Sequence, residues 1–469
     1  MKPRTAWLVL ISTLVFGLAD VANVSGEEPA KPVEIRLHPQ AAPSPSLKYR
    51  LLPTRLEQRR GNAAVHYGKV TAEEITFFGN RKLLDKLDDL REAPLADLRG
   101  GKVNLPSQGA IEDSLRRGAL CMECDWLLPV GDVPYYTMPL PEAQQTRGFA
   151  RILALRARIQ IADHLYDEAI TTFQTGFALG RHVATGETIV NGLVGLAICG
   201  IMDEQVLEYV QQLGAPNLYW ALTALPTPLI DMQRALDVER MGVELTYPEL
   251  VNARTAKKTP DEWREQFGRI FTTDLGVKLS DSDSPKWPSP DEFEKRCQER
   301  LPAAKKYLIA SGLQAKDVEE MSKYQIATLY SLALYHEYAD EAAKYNYLPY
   351  AQGIAGVKAV VARIEHEDLE IVPISKRILP VIEVSRSAPA RVDRSIAVLR
   401  VLEALRIYAA AHGDKLPDAL ANVTEVPIPM DPVTGKAFEY RRDGDKAYLQ
   451  GPTFHEVSLN YEITMVPRH

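Results

Sequence analysis

The sequence predicts a mainly α fold, built of antiparallel helical hairpins, with a small C-terminal α+β module. The first observation is a helical period in the apolar residues between about Thr71 and Glu383. The second is a pair of adjacent helical segments in 141–182, joined by a short turn. The third is a strict alternation of apolar and polar residues in 457–465, which is typical of a half-buried strand.

The strongest helical pair is found in 141–182. In its first half, apolar side chains recur at intervals of three and four residues: Phe149, Ile152, Leu155, Ile159 and Ala162. A short turn then precedes a second helix that begins near Asp167. This arrangement resembles one helix pair of the tetratricopeptide kind, although no regular period of about 34 residues follows. Gly176 and Gly180 favour close helix packing, and the apolar run 189–202 predicts a buried core helix.

Composition and pattern divide the chain into four regions: a signal peptide (1–26), an extended linker (27–60), a helical domain (61–385) and the C-terminal module (386–469). The linker is rich in Pro and Ala. Its alternating stretch Val33–Leu37 is a candidate edge strand that would join the C-terminal sheet. A turn-rich loop excursion near 252–300 interrupts the helical domain.

The C-terminal module combines a helix with an antiparallel hairpin. Asp393–His412 carries an apolar stripe at helical spacing, so it predicts an amphipathic helix. Two short β-prone segments, Phe438–Tyr440 and Ala447–Leu449, flank Asp443-Gly444, a common hairpin turn. The alternating strand 457–465 completes a small sheet.

The N-terminus has the pattern of a secretory signal. Lys2 and Arg4 precede the apolar stretch Ala6–Ala19, and small residues follow it. Cleavage would follow Ala19 or Gly26. The alternative is an uncleaved membrane anchor, which the shortness of the apolar stretch disfavours. We therefore expect an exported protein, periplasmic or extracellular, with no stable transmembrane span after cleavage.

Composition excludes several classes of protein. The chain has 469 residues, of which 46% are hydrophobic and 25% charged, so it has the composition of a globular protein and not of a disordered one. Its net charge of −7 gives no basic excess for nucleic-acid binding. Four cysteines are too few for a disulfide scaffold. Cys121 and Cys124 form a C-x-x-C pair, and the sequence leaves open whether they are bonded; a redox or metal role is the minor alternative.

Five stretches carry a resemblance to known families: Leu47–Pro53, Gly61–Ala64, Cys124–Trp126, Leu402–Gly413 and Val426–Phe438. Together they resemble a family of uncharacterised exported proteins of planctomycete bacteria, which implies a compartment and no reaction. The last two stretches also resemble the C-terminal part of type II secretion major pseudopilins. The pseudopilin N-terminal cleavage site and helix have no counterpart in this sequence, so the resemblance implies neither pilus assembly nor calcium ligands.

Glu239 is the first candidate site residue. On the predicted helix 228–245 it shares an apolar stripe with Met232, Leu236 and Val243. A buried carboxylate is either paired or has a raised pKa, and such groups are enriched at functional sites. The alternatives are a structural ion pair, with Arg234 or Arg156, and a side chain that reaches solvent at the edge of the stripe.

Two further groups complete the candidate pocket. The predicted helix from Lys316 to Tyr345 carries several tyrosines, among them Tyr324 and Tyr335, which would either pack or stack on a ligand. Arg147, together with Arg151 and Arg158, would either line an anion site or pair with acidic residues of neighbouring helices.

Metal ligation has only partial support in the sequence. His336 and Asp340 lie four residues apart and share a helix face, and His366 and Glu370 have the same spacing. Each pair lacks a third ligand, and a solvated acidic helix face is the alternative. No metal and no cofactor are therefore expected.

Two functions remain at this point. Helix pairs without catalytic motifs favour an exported, non-catalytic scaffold or interaction protein with protein or cell-envelope partners. The alternative is a periplasmic hydrolase or ligand-binding protein with a pocket near Glu239 and the Tyr324–Tyr338 helix.

Overall fold

The computed structural model describes residues 31–73, 80–101, 103, 108–274, 287–367, 369–455 and 457–467. The predicted signal peptide lies outside these residues. The chain divides into two compact units. The helical unit consists of Leu128–Pro139 and Gln233–Arg386. The mixed unit consists of the described residues up to Leu127, of Leu140–Met232 and of the described residues from Ser387. The predicted helical domain 61–385 thus contributes to both units.

Helices dominate the described chain, which confirms the predicted mainly α class. The mixed unit contains α1 (Ala63–Glu73), α2 (Arg81–Glu92), α3 (Leu95–Leu98), α4 (Gln108–Ala119), α5 (Pro141–Ala162), α6 (Tyr166–Val183), α7 (Ile189–Val210) and α8 (Tyr219–Thr223). The helical unit contains α9 (Gln233–Glu239), α10 (Gly242–Thr246), α11 (Pro260–Phe267), α12 (Pro290–Ala310), α13 (Ala315–Glu320), α14 (Lys323–Ala343), α15 (Tyr350–Glu367) and α16 (Ile374–Ile378). The division between the units then falls within α17 (Pro380–Ala411).

The predicted C-terminal sheet is present in the mixed unit. Its four strands follow the order β1-β6-β5-β4, with the bounds β1 (Val33–Leu37), β4 (Glu439–Asp443), β5 (Lys446–Phe454) and β6 (Val457–Met465). The candidate edge strand joins it as predicted, because β1 runs parallel to β6 with Val33 opposite Tyr461. The hairpin β4–β5 turns at Gly444-Asp445, one residue later than predicted. A smaller sheet pairs β2 (Arg59–Asn62) with β3 (Cys121–Glu123).

Three consecutive helices form the core of the mixed unit. α5, α6 and α7 are joined by short loops and pack on one another, which confirms the predicted helical hairpins. Gly176 and Gly180 permit this contact, as expected. A Cβ atom on Gly176 would meet the side chain of Met202, and one on Gly180 would lie 2.7 Å from the carbonyl oxygen of Gly195. Larger residues at these positions would push α6 away from α7.

α7 is long and apolar enough to cross a membrane, the one such helix in the part of the chain that the structure describes. Of its most apolar window, 83% is buried inside the fold. Cys199, in the middle of α7, is fully buried. α7 is therefore buried like the core helix of a globular protein, as its interrupted apolar run predicted.

An ion pair on α17 is fully buried in the mixed unit. Arg406 Nη1 lies 2.9 Å from Glu403 Oε2, and neither side chain is exposed. The Glu403 carboxylate also accepts hydrogen bonds from the Asn217 side chain and the Leu218 backbone. Arg406 donates to the carbonyl oxygens of Ala215 and His38. One buried pair thus joins α17 to the loop after α7 and to the residue that follows β1.

Part of the predicted extended linker is packed into the mixed unit. Ile35, Leu37 and Leu51 are at most 1% exposed. The backbone N–H of Gln40 donates to the carbonyl oxygen of Arg406. Ile35 and Leu37 thus form the buried face of β1, whereas Val33 at its start is 52% exposed.

The predicted loop excursion 252–300 is helical over much of its length, where α11 and α12 lie. Each helix begins at a capping box followed by proline, Thr259-Pro260 with Glu262 and Ser289-Pro290 with Glu292. Proline suits the first position of a helix, where its missing N–H costs nothing. Proline and serine also mark turns, which is why the sequence around Pro290 predicts a loop and not the start of a helix.

Two other predicted helices differ in length. The segment 228–245 breaks at Arg240 into the short helices α9 and α10. The predicted helix 393–412 is the second half of α17, which starts at Pro380.

Replacing Arg406 with Met is expected to lower the free energy of unfolding by about 3–5 kcal/mol, because Glu403 would remain buried without its partner. Arg441→Met is the matched control. Arg441 pairs with Asp443 while both side chains stay about two-thirds exposed, so its replacement should cost less than about 1 kcal/mol. Urea unfolding of both variants measures the difference. Similar small losses in both would contradict a structural role for the buried pair.

Candidate functional site

Glu239 is buried in the helical unit, as its apolar stripe predicted. It is the last residue of α9 and is only 6% exposed. Its Oε2 accepts a hydrogen bond of 2.9 Å from the hydroxyl of Tyr135. Neither arginine proposed as its partner is among the contacts found for it. Arg156 pairs with Glu112 in the mixed unit. A tyrosine hydroxyl therefore takes the place of the expected arginine.

Tyrosine rings surround this carboxylate. Tyr135 and Tyr136 lie edge to face at 5.5 Å in the 3-10 turn 135–137, and Tyr335 of α14 donates its hydroxyl to the carbonyl oxygen of Glu239. Gly242 allows the close approach of Tyr136, because a Cβ atom there would lie 2.7 Å from the Tyr136 hydroxyl oxygen. Burial raises the pKa values of Tyr136 and Tyr335 well above the ordinary value.

Burial raises the pKa of Glu239 to about 7, and the hydrogen bond from Tyr135 opposes the rise. The cavity beside Glu239 has a volume of about 10 Å³. A space of this size holds a single water molecule. The arrangement is a buried, hydrogen-bonded carboxyl group without room for an organic substrate.

The other residues predicted for this pocket lie elsewhere. Tyr324 lies in the first turn of α14, eleven residues before Tyr335, and its hydroxyl donates to Glu294. Eleven positions along a helix separate atoms by about 16 Å, so both tyrosines cannot line one small cavity. Arg147 belongs to the other unit, on α5. Of the predicted set Glu239, Tyr324, Tyr335 and Arg147, the structure brings Glu239 and Tyr335 together at this cavity, and Tyr324 and Arg147 are not among its lining residues.

Of the three α5 arginines that could line an anion site, two are paired with carboxylates. Arg151 contacts Asp88 of α2, and Arg158 forms a bidentate pair with Glu208 of α7. Burial lowers the pKa of Arg147. Arg151 and Arg158 therefore pair with acidic residues of neighbouring helices, which was the alternative to an anion site.

The proposed metal ligands have other partners. His336 Nε2 lies 2.5 Å from Glu244, and Asp340 pairs with Arg240. Glu370 is buried and accepts two hydrogen bonds from Ser375, whereas His366 is exposed. Among the described residues, no three His, Cys, Asp or Glu side chains are grouped so that they could hold a metal ion.

Cys121 and Cys124 are free thiols in the structure. Burial raises the pKa of both and takes that of Cys124 to about 12. Because the thiolate is the reactive form, both thiols are poor nucleophiles at neutral pH.

A larger groove lies entirely within the mixed unit. Its volume is about 300 Å³, at the lower end of the range for small-molecule sites. It is formed by α1, the segment after β3 and the first two turns of α5. Fourteen residues line it: Asn62, Ala64, Val65, Tyr67, Gly68, Thr71, Asp125, Trp126, Leu127, Pro141, Glu142, Gln145, Thr146 and Phe149.

Asn62 and Asp125 fix one wall of the groove. The Asn62 side chain donates to the backbone oxygen of Asp125 and accepts from its N–H, at 2.7 and 2.9 Å. Asn62 also accepts from the N–H of Ala64 at the start of α1. The Asp125 carboxylate accepts from the N–H of Leu127, which has a φ of +50°. Such a φ is uncommon for a residue with a side chain, so this wall is held in a specific conformation.

Trp126 and Tyr67 form the aromatic side of the groove. Their rings stack with centroids 5.9 Å apart and planes inclined by 20°. The Trp126 indole N–H donates to the carbonyl oxygen of His182 at 2.8 Å. Tyr67 is buried while Trp126 is partly exposed. Trp126 is therefore held in a fixed orientation, and the exposed part of its ring is accessible to a ligand.

His182 supports both rings from α6. Its Nδ1 lies 2.9 Å from the Tyr67 hydroxyl, and the ring also hydrogen-bonds to the backbone of Cys121. Burial, together with the nearby Arg181, lowers the pKa of His182 to about 4. The ring is neutral at pH 7, with Nδ1 accepting from Tyr67 and Nε2–H donating to the Cys121 carbonyl.

Glu142 lies in the first turn of α5 and lines the groove together with the aromatic side chains. It is half-buried and accepts a hydrogen bond from the Asn191 side chain. Burial raises its pKa, and hydrogen bonds from its own N–H and from Asn191 oppose the rise. Thr71 donates to Gln145 beside it, at 3.0 Å, and so ties α1 to α5.

The sequence analysis did not predict this groove. Its residues come from three separate stretches of the chain, and none of them forms a familiar catalytic spacing. Two of the stretches that carry the family resemblance, Gly61–Ala64 and Cys124–Trp126, contribute residues to the lining. The resemblance of these two stretches drew attention to this part of the chain, but it implied no ligand and no reaction.

Comparison of the chain with models of known protein families, with characterised proteins and with solved structures gave no match.

Replacing Glu239 with Gln tests whether burial raises the pKa of its carboxyl group. The folded pKa of Glu239 is about 7, above the ordinary 4.5, so the wild-type side chain contributes stability that is fully present below pH 4.5 and lost as the pH rises to 7. Gln does not ionise. The variant should therefore gain stability relative to wild type over this pH range, by up to about 3 kcal/mol.

Urea unfolding at a series of pH values measures this change. The exposed Glu265→Gln variant controls for the loss of one negative charge. A stability difference between Glu239→Gln and wild type that does not change with pH would contradict the raised pKa.

Proposed function

We propose that this chain is an exported binding protein and that the groove of the mixed unit is its ligand site. The observation that carries the proposal is a concave space of about 300 Å³ beside a fixed, partly exposed tryptophan. Ligand sites combine concave apolar surface with a few well-placed polar groups. The groove has both, since it offers Trp126 together with Asp125 and Glu142.

The rim of the groove supports this function. Val65 is 68% exposed and Leu127 is 79% exposed. Both are apolar side chains at the edge of a concave surface, where a ligand would cover them. The hydrogen bonds of Asn62 and Asp125 hold this edge in place, so little conformational entropy would be lost on binding.

The chemistry of the groove favours binding over catalysis. A histidine with a pKa near 4 is a weak base at neutral pH. Burial also raises the pKa of its partner Tyr67 well above the ordinary value, so the phenol is a poor nucleophile and a poor acid. The Tyr67–His182 pair therefore serves to position Trp126 and is poorly suited to proton transfer.

The proposed location rests on the N-terminal sequence, where two basic residues precede a short apolar stretch. An exported protein with a small-molecule groove would meet solutes or cell-envelope components. A hydrolase or ligand-binding protein with its pocket near Glu239 has little support, because the cavity there has the volume of one water molecule.

Gly68→Leu is expected to abolish ligand binding without unfolding the protein. Gly68 lines the groove on α1, and a Cβ atom there would meet nothing within 4 Å. A leucine would therefore fill the groove and leave the fold intact. Gly109→Leu on α4 is the matched control, since its Cβ atom would also enter open space.

Saturation-transfer NMR with benzoate, benzyl alcohol and benzyltrimethylammonium provides the measurement. At least one of these probes should give a signal with wild type and Gly109→Leu and lose it with Gly68→Leu. If no probe gives a signal that depends on Gly68, the proposed function is wrong.

A further inference from the structure

The charged side chains that line the groove are all acidic. Asp125 and Glu142 are both acidic, and no Lys, Arg or His is among the fourteen lining residues. The nearby His182 is neutral at pH 7, as its lowered pKa shows. A ligand that enters this groove therefore meets negative potential without a compensating cation in the lining.

The aromatic side chains add to this potential. The faces of aromatic rings are electron-rich and attract cations, and tryptophan does so most strongly. Trp126 is oriented by its hydrogen bond to the His182 carbonyl and by its stack on Tyr67. The lining of the groove therefore contains both a fixed ring and a carboxylate.

An anionic ligand fits this site poorly. The N-terminus of α5 faces the groove, and the N–H groups at a helix N-terminus would ordinarily attract an anion. Glu142 already occupies this end and accepts a hydrogen bond from its own backbone N–H. An anion would also be repelled by Glu142 and Asp125.

We infer that the groove recognises small organic ammonium ions, held between the Trp126 ring and the Glu142 carboxylate, with Asp125 at the mouth. This inference rests on the proposed function, because it names the ligand class of the same groove. The bulky, weakly hydrated head of a quaternary ammonium ion suits an aromatic wall better than a primary ammonium does.

A comparison of choline with a neutral molecule of the same shape measures how much the positive charge contributes to binding. The isostere is the alcohol in which a tert-butyl group replaces the trimethylammonium group of choline. Calorimetric titration of the full chain should show that choline binds about tenfold or more tightly than this alcohol, because only choline gains the cation–π and carboxylate contacts. Equal affinity for the two compounds, or tighter binding of the alcohol, would overturn the inference.

Glu142→Gln tests the carboxylate. The Gln side chain keeps an oxygen that can accept from Asn191, so the fold should be retained. The affinity for choline should fall about fivefold or more while that for the alcohol stays unchanged. Asp125→Asn keeps the acceptor for the Leu127 N–H and should give a smaller loss. Glu168→Gln is the matched control: Glu168 is exposed, lies in the first turn of α6 and is not part of the groove.

The outcomes separate the inference from the proposed function. If benzoate or benzyl alcohol gives the signal that depends on Gly68 while choline does not bind, the groove is a ligand site for another class and the inference is overturned. If choline binding is unaffected by Glu142→Gln, the contact assigned to Glu142 is wrong and the inference is overturned as well. If no probe depends on Gly68, both proposals fail.

Discussion

The mixed unit depends on one buried ion pair. Glu403 and Arg406 lie one helical turn apart on α17, and together they satisfy backbone groups of the loop after α7 and of the segment after β1. Such a pair contributes little net stability compared with apolar packing, but it is costly to break, because the loss of one partner leaves the other charge buried. Those segments hold α7 in place, and α7 packs on the two helices, α5 and α6, that support the groove.

The groove shows how a rigid framework positions a few exposed groups. Asn62 bridges the start of α1 to the segment after β3. His182 of α6 supports Trp126 through its backbone and Tyr67 through its ring. Apart from the bond between Asn62 and Ala64, these contacts join residues more than fifty positions apart, so the shape of the groove is a property of the packed unit. Glu239 of the helical unit differs from these exposed groups because it is buried. Its polar atoms contact tyrosines, and the cavity beside it has room for one water molecule.

Local pattern was enough to predict much of the fold. β6 matches the predicted strand 457–465 because alternation over nine residues has no other good interpretation, and β1 was found by the same rule. The apolar stripe correctly predicted that Glu239 is buried. Its partner Tyr135 was not predictable, because the contact spans more than one hundred residues of chain. The helices α11 and α12 were missed for a local reason, since their capping boxes begin with the same Ser, Thr and Pro residues that mark turns.

A crystal structure of the full chain grown with choline tests the central claim most directly, since it locates the ligand as well as its orientation. The trimethylammonium group should lie in the groove, packed on the Trp126 ring and beside the Glu142 carboxylate, with the hydroxyl end toward solvent. Choline bound elsewhere on the protein, or an empty groove at saturating choline, would contradict the account.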